Sequence, residues 1–206
     1  SVPDYNGLAS FAFTARDSVN GVTFGPVTVG VLISTTNANH PPVLAPVTNR
    51  TAVAGQTVSF VCSATDPEVP PQTLTFSLLN APDGAALDPG SGQFHWRPAI
   101  AQGGATYDLA VVAADNGSPS LSATQHFSIT VLRPARPSLQ GGGFTSNRFA
   151  LGVTGDAGPD YLILASSNLT DWAAVFATNA PLLPFWWTDP ESEAIPQRFY
   201  RVLLGP

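Results

Sequence analysis

Three carboxylates, Asp66, Glu68 and Asp115, are spaced so that they could act together. Asp66 and Glu68 lie just beyond the run Thr57–Ala64, TVSFVCSA, and Asp115 directly follows Tyr107–Ala114, YDLAVVAA. Both runs alternate apolar and polar residues in the manner of half-buried β-strands. In an antiparallel sandwich the second and sixth strands run the same way, so these two runs end at one pole of the domain. The polar segment Ser34–Pro42, STTNANHPP, enters at that pole and brings the side-chain and backbone oxygens of Asn37 and Asn39. Carboxylates gathered with neutral oxygens suit a hard cation such as Ca²⁺, which takes ~6–8 oxygen ligands. The competing reading is structural: Asp66 and Asp115 cap turns by accepting backbone N–H bonds.

A second chemistry comes from PFWWTDP. Successive strand side chains point to opposite faces, so Trp186 and Trp187 cannot both lie under one sheet. One is expected in the core and the other in solvent, where an indole can stack on a sugar ring. The alternative is an edge-strand aromatic packed against Phe185, Phe199 or Tyr200. Trp96 and Trp172 read as core or turn-packing residues. Arg198 and Arg201 stand among aromatics in the last strand, within reach of Asp189 or Glu191.

Catalytic patterns are missing from the sequence. It has no Gly-x-Ser-x-Gly elbow, no His-Glu-x-x-His pair and no glycine-rich phosphate loop. The close acidic pairs Asp66/Glu68 and Glu191/Glu193 fall in turn-like segments, as solvated loop charges do. Alternation puts Val58, Phe60, Cys62 and Ala64 on one face, which makes Cys62, the single cysteine, a small core residue and excludes an intrachain disulfide. No motif links it to His40, His95 or His126. The three Asn-x-Ser/Thr matches, at Asn49, Asn116 and Asn168, are attributed to chance.

The elements that must position these groups are short and β-like throughout. Runs of alternating or β-branched residues recur from Leu8–Arg16 to Arg198–Leu204, with Gly, Pro, Asn and Asp filling the gaps, and no stretch keeps a helical period for three turns. The expected fold class is all-β: tandem Ig-like or cadherin-like sandwich modules plus a small C-terminal β module. Two boundaries divide the chain, the polar Pro-Pro segment 36–42 and RPARPSLQGGG at 133–143. The Pro-rich joint is expected to be semi-rigid and the Gly-rich one looser. LASFAFTARDSVNG before PVTVGVLI is echoed by YDLAVVAADNGSP before QHFSITVL, which places Asp17 and Asp115 in matching positions 98 residues apart. Residues 1–35 therefore read as the closing strands of one repeat, 43–132 as a full sandwich and 144–206 as the small module. The opening SVPDYNGLAS, without Met or apolar leader, reads as the interior of a longer chain.

Charge narrows the partners. Only 11% of residues are charged, the net charge is −6 and every basic residue is Arg, so no basic stripe exists to neutralise phosphates and nucleic acid is excluded as a partner. No apolar run approaches the ~18 residues of a membrane-spanning helix.

Residues 41–132 resemble the bacterial Ig-like, cadherin-like (dystroglycan-type) domains. PPVLAPV, AGQTVSFVCSATDPE, LTFSLLNAPDGAALDPGSGQFHWRP and YDLAVVAADNGSPSLSATQHFSITV occur in family order. Residues 1–35 resemble the closing half of a similar repeat. Residues 137–206 are similar to a C-terminal module of large secreted bacterial proteins, through YLILASSNLTDW, the TDP turn and QRFYRVLLGP. The carboxylates also resemble those of cadherins, with Asp66 and Glu68 matching a D-x-D element, Asp115 an A-x-D-x-G element and Asn39 the fourth position of a D-x-N-D-N linker. The mid-domain acidic pair of cadherins is not evident near FHWRP, and fewer anionic ligands imply affinity in the millimolar range. The resemblance implies a non-catalytic spacer or adhesive segment, secreted or at the cell surface, whose partner is a protein or polysaccharide there and whose first joint is stiffened by Ca²⁺. Two other readings stand beside it: a carbohydrate-binding accessory to a larger enzyme, and a C-terminal sorting or anchoring module.

Overall fold

The computed structural model describes residues 7–33, 38–179 and 182–205. It is all-β apart from one short 3₁₀ turn, Ile100–Gln102, and its strands form several small sheets consistent with tandem sandwich modules.

The first unit is a hairpin of β1 (Gly7–Arg16) and β2 (Thr23–Ile33), paired antiparallel with a register shift between Phe13 and Ala15. The middle unit runs β3 (Val43–Leu44), β4 (Arg50–Val53), β5 (Val58–Val61), β6 (Ala64–Thr65), β7 (Thr75–Leu79), β8 (Ala86–Leu87), β9 (Gln93–Trp96), β10 (Ala105–Ala114) and β11 (Ser122–Leu132). One sheet has the order β4-β11-β10-β7, with β4 parallel to β11; facing it are β5-β9-β8 and the pair β3-β6. Alternation on β10 and β11 turns Leu109, Phe127, Ile129 and Val131 inward to cluster with Ala52, Val58, Phe94 and Trp96, while Val111 and Ala113 cluster with Cys62 and Phe76. Burying each large apolar side chain of this kind contributes about 1.5–3 kcal/mol. Trp96 is fully enclosed, its Nε1 donating to Asp83 O at 3.1 Å.

The run expected as one strand, Thr57–Ala64, is two. The chain leaves β5 for β6 around Cys62, whose N–H donates to Gly92 O at 2.8 Å while Ala45 N donates to Ser63 O at 2.9 Å. Gly92 permits the crossing: its φ is +68°, and a Cβ there would overlap the Cys62 carbonyl. Cys62 sits in the core as expected, and burial pushes its thiol pKa up, against a smaller lowering by Arg50.

The third unit consists of β12 (Ser138–Thr145), β13 (Arg148–Thr154), β14 (Tyr161–Ser166), β15 (Ala173–Ala177), β16 (Phe185–Thr188) and β17 (Phe199–Leu204), in two sheets ordered β12-β13-β16 and β15-β14-β17. Leu151, Val153, Tyr161, Ile163 and Trp187 fill the space between them. The segment 133–143 was expected to be a linker, but from Ser138 onward it is strand β12. Its glycines serve packing: a bulge lies between Gln140 and Gly143, and a Cβ on Gly142 would overlap the Phe149 ring. Nor do the neighbouring units meet through a loose tether alone. Arg97 donates from Nε to Gly55 O at 2.7 Å and from Nη2 to Gly158 O at 2.9 Å and Asp160 Oδ1 at 2.8 Å, while Pro159 is buried against Gly55.

The hairpin shows what the sandwich supplies. Phe11 and Phe13 correspond in the repeat to Leu109 and Val111, yet they are 57% and 50% exposed where their counterparts are 1% and 0%. An unsupported two-stranded hairpin is marginal in water. In amide hydrogen exchange on this chain, residues 7–33 are therefore expected to exchange at least ~100-fold faster than β10 and β11; equal protection would show that something covers that face. For the second joint, Arg97→Ala removes four hydrogen bonds to Gly55, Gly158 and Asp160. The expected outcome in small-angle scattering is a broader distance distribution with the two unit folds retained.

Candidate functional site

The pole predicted for Asp66, Glu68 and Asp115 exists, and the linker reaches it. β10 ends at Ala114, and the next residue, Asp115, is buried; its Oδ1 accepts the N–H groups of Gly117 at 3.0 Å and Leu121 at 2.8 Å. Its other oxygen accepts Asn39 Nδ2 at 2.9 Å, and the same amide nitrogen donates to Pro119 O at 2.9 Å. Asn39 Oδ1 in turn accepts Gln72 Nε2. One linker side chain thus fastens two loops of the middle unit. Asn37, the other linker residue expected here, lies outside the described residues.

Asp66 follows β6 and closes its own turn, Oδ1 accepting Glu68 N at 3.2 Å and Gln72 N at 2.9 Å. Glu68 is only 6% exposed, an unusual place for a carboxylate, and its Oε1 meets both His40 N and His40 Nδ1 at 2.8 Å. Turn capping by Asp66 and Asp115 is therefore real, but it uses only part of their capacity. Among the described residues, Asp66 Oδ2, Glu68 Oε2 and Gln72 Oε1 are buried and have no hydrogen-bond partner. A buried oxygen left unpaired costs about 1–3 kcal/mol, more if charged, so each of the three can take a donor such as water or a cation. Every one is a hard oxygen donor, the type that Ca²⁺ prefers. Among the described residues no group of three His, Cys, Asp or Glu side chains is placed to hold a metal ion. A cation at this pole would thus rest on two carboxylates supplemented by neutral oxygens such as that of Gln72.

The electrostatics of Asp115 follow from this geometry. Burial pushes its pKa up, but the N–H groups of Leu121 and Gly117, the Asn39 amide and Ser120 together outweigh burial and hold it below the usual carboxylate range. Sequence reasoning did not find Gln72 or assign His40 to the pole. Gln72 stands six residues beyond Asp66, past Pro70-Pro71, where no ligand spacing rule applies. His40 adjoins Asn39, and its neighbourhood was the available signal.

The two tryptophans separate as alternation requires. Trp187 is buried, stacked on Phe176 at 5.7 Å and edge-on to Tyr200 at 6.2 Å, whereas Trp186 is 64% exposed. Trp172 closes its turn by donating Nε1 to Leu169 O at 3.0 Å, and Arg201 lies 4.4 Å over its ring. Arg198 pairs with Asp189 at 3.1 Å and Glu191 at 3.2 Å, and Tyr200 donates to Asp189 Oδ2 at 2.7 Å. Burial first, then Asp189, pushes the Tyr200 pKa far up, so the phenol stays a donor. The TDP and RFYR ends of the module's sequence signature therefore meet at one buried carboxylate. Glu193 is exposed and lies 3.9 Å from Arg148, so the Glu191/Glu193 pair is occupied by arginines.

Residues 41–132 match the family model He_PIG, described as Putative Ig domain, over a little under half of the chain. No curated protein matches. Among solved structures, a nucleoside hydrolase-related hypothetical protein from Saccharophagus degradans, associated with carbohydrate metabolism, is 27% identical, covering 46% of this chain and 26% of that one with a TM-score of 0.38. Mouse cadherin-23 EC22-24 is 22% identical over 60% of this chain and 42% of that one, TM-score 0.40. Human CDH23 EC21-23 is 14% identical over 96% and 73%, TM-score 0.43. The chain spans less than half the length of the first two.

Proposed function

We propose that this chain is a non-catalytic structural and adhesive segment of a secreted or cell-surface protein, in which sandwich modules in series hold a partner or another domain at a distance. The observation that supports this reading is the pole of the middle unit, where Asn39 of the linker is fastened to Asp115 and Gln72 beside three unpaired buried oxygens. A joint gripped at this point transmits orientation from one module to the next. Ca²⁺ held by Asp66, Glu68 and Gln72, next to the Asn39–Asp115 clamp, would supply positive charge to oxygens that have no donor. It would also tie the linker more firmly to the module. Two carboxylates with one amide imply millimolar affinity, in the range of extracellular modules.

Thermal unfolding with calcium and with chelator tests the cation. At a calcium concentration ten times Kd the expected stabilisation is about 1.4 kcal/mol, several degrees in the midpoint of the middle unit. Glu68→Gln is expected to abolish this increment; an unchanged wild-type midpoint at about 10 mM calcium, roughly ten times the weakest Kd of such modules, would rule the cation out. The spacer reading is tested separately, by the Asn39→Ala variant, which is expected to loosen the first joint with or without calcium.

The pH dependence has a definite sign. The Asp115 pKa is lowered on folding, so its contribution is complete above the ordinary carboxylate value and is lost as pH falls through the lowered one. Acid titration of stability is expected to show a steeper loss below about pH 4 for the natural chain than for Asp115→Asn.

A further inference from the structure

Trp186 sits on the outer face of the sheet β12-β13-β16. Its register partner is Gly152 on the central strand, and Gly152 pairs with Gln140 on β12. A Cβ added to Gly152 would lie 3.3 Å from indole atoms Cε2 and Cζ2, and one on Gly141 3.8 Å from Cη2. The indole therefore starts on one edge strand and lies across the middle strand to the other, seated on glycine backbone. It remains 64% exposed. Most of the residue's surface is thus open to solvent, where a ligand can reach the ring.

The surroundings decide what that ligand is. Strand alternation puts Gln140, Thr154 and Thr188 on the same face as Trp186, together with Ser138, whose hydroxyl lies 2.7 Å from that of Thr154. These are uncharged donors and acceptors around one large apolar plate. The nearest charged position on this face is Arg148 at the far end of β13, 3.9 Å from Glu193. A protein partner would need a contiguous apolar patch, which a single indole among amides and hydroxyls does not provide. A pyranose ring offers the complement: C–H groups on one face for the π surface and hydroxyls at the rim for Gln and Thr. Charge sets the class further. A chain of net charge −6 repels polyanions, and the three strands of this sheet carry no carboxylate to attract a polycation.

We infer that the outer face of β12-β13-β16 is a binding platform for a neutral polysaccharide, with Trp186 stacked on one sugar ring and Gln140 and Thr188 bonding its hydroxyls. This site is on the third unit and is independent of the calcium reading at the first joint.

Depletion assays on insoluble cellulose and chitin, with affinity electrophoresis in soluble neutral β-glucan, test it on the full chain; polygalacturonate is the anionic arm. The expected result is retention on at least one neutral polymer, with quenching of Trp fluorescence. Trp186→Ala is expected to weaken retention at least tenfold while leaving the thermal midpoint within a degree, because the ring is outside the core. Gln140→Ala should weaken it by a smaller factor, and Leu169→Ala, at an exposed apolar side chain elsewhere, should leave it unchanged. Absence of retention on all three neutral polymers would overturn the inference. So would equal retention by Trp186→Ala, or stronger binding to polygalacturonate than to any neutral polymer.

Discussion

Burying a carboxylate is costly unless its oxygens find donors, because an unpaired buried charge costs several kcal/mol. This chain buries Glu68, Asp115 and Asp189, and much of its architecture follows from how each is satisfied. Asp189 collects Tyr200, Arg198 and the N–H of Glu191, and so draws the turn after β16 onto the last strand. Asp115 collects two backbone N–H groups and the Asn39 amide, and so draws the linker onto the middle unit. Glu68 is different. One oxygen is met by His40 and the other, among the described residues, by nothing, beside the unpaired oxygens of Asp66 and Gln72. The first two sites are closed networks that hold structure; the third is open.

The same reasoning explains the conduct of the aromatic residues. In the middle unit Phe60, Phe94 and Phe127 form one cluster with contacts of 4.7 to 6.0 Å, and Trp96 meets Tyr107 edge-on. Two sheets face each other there, so every inward aromatic has a partner. In the hairpin β1-β2 the equivalent inward positions have only one sheet among the described residues, and Phe11 and Phe13 stay in solvent. Identical local pattern yields a core in one place and a bare face in the other, because burial is a property of the second layer.

Much of this was legible in the sequence, since period-2 alternation is a direct consequence of strand geometry. It located β10 and β11 closely, placed Cys62 inside and required Trp186 and Trp187 to part company. It also placed Asp66, Glu68 and Asp115 at one pole, because that needed only strand direction. What escaped was contact made by side chains with no spacing rule. Gln72 joins the pole through a loop, and Arg97 reaches a unit that begins some forty residues later. The glycines of β12 looked like linker because composition carries their flexibility but not the rings above and below them. Gly142 faces Phe149 on one side and Gly141 lies under Trp186 on the other.

That pair of glycines bears on how sparse charge serves this molecule. With 11% of residues charged, the carboxylates are concentrated where they close turns and joints, and broad stretches of sheet surface are left to amides, hydroxyls and small side chains. A uniformly charged surface would hydrate itself and shield an exposed indole behind flexible Lys and Glu. A glycine-paved sheet does the opposite, presenting the indole flat with short polar neighbours that do not sweep across it. The bulge that carries Gly141 and Gly142 is thus not a defect of the edge strand: by removing two side chains it lets one aromatic pack below the sheet and another rest above it. The outer ring, unlike the inner one, has no second layer within the described residues, so its open face remains the feature of this unit that packing alone does not account for.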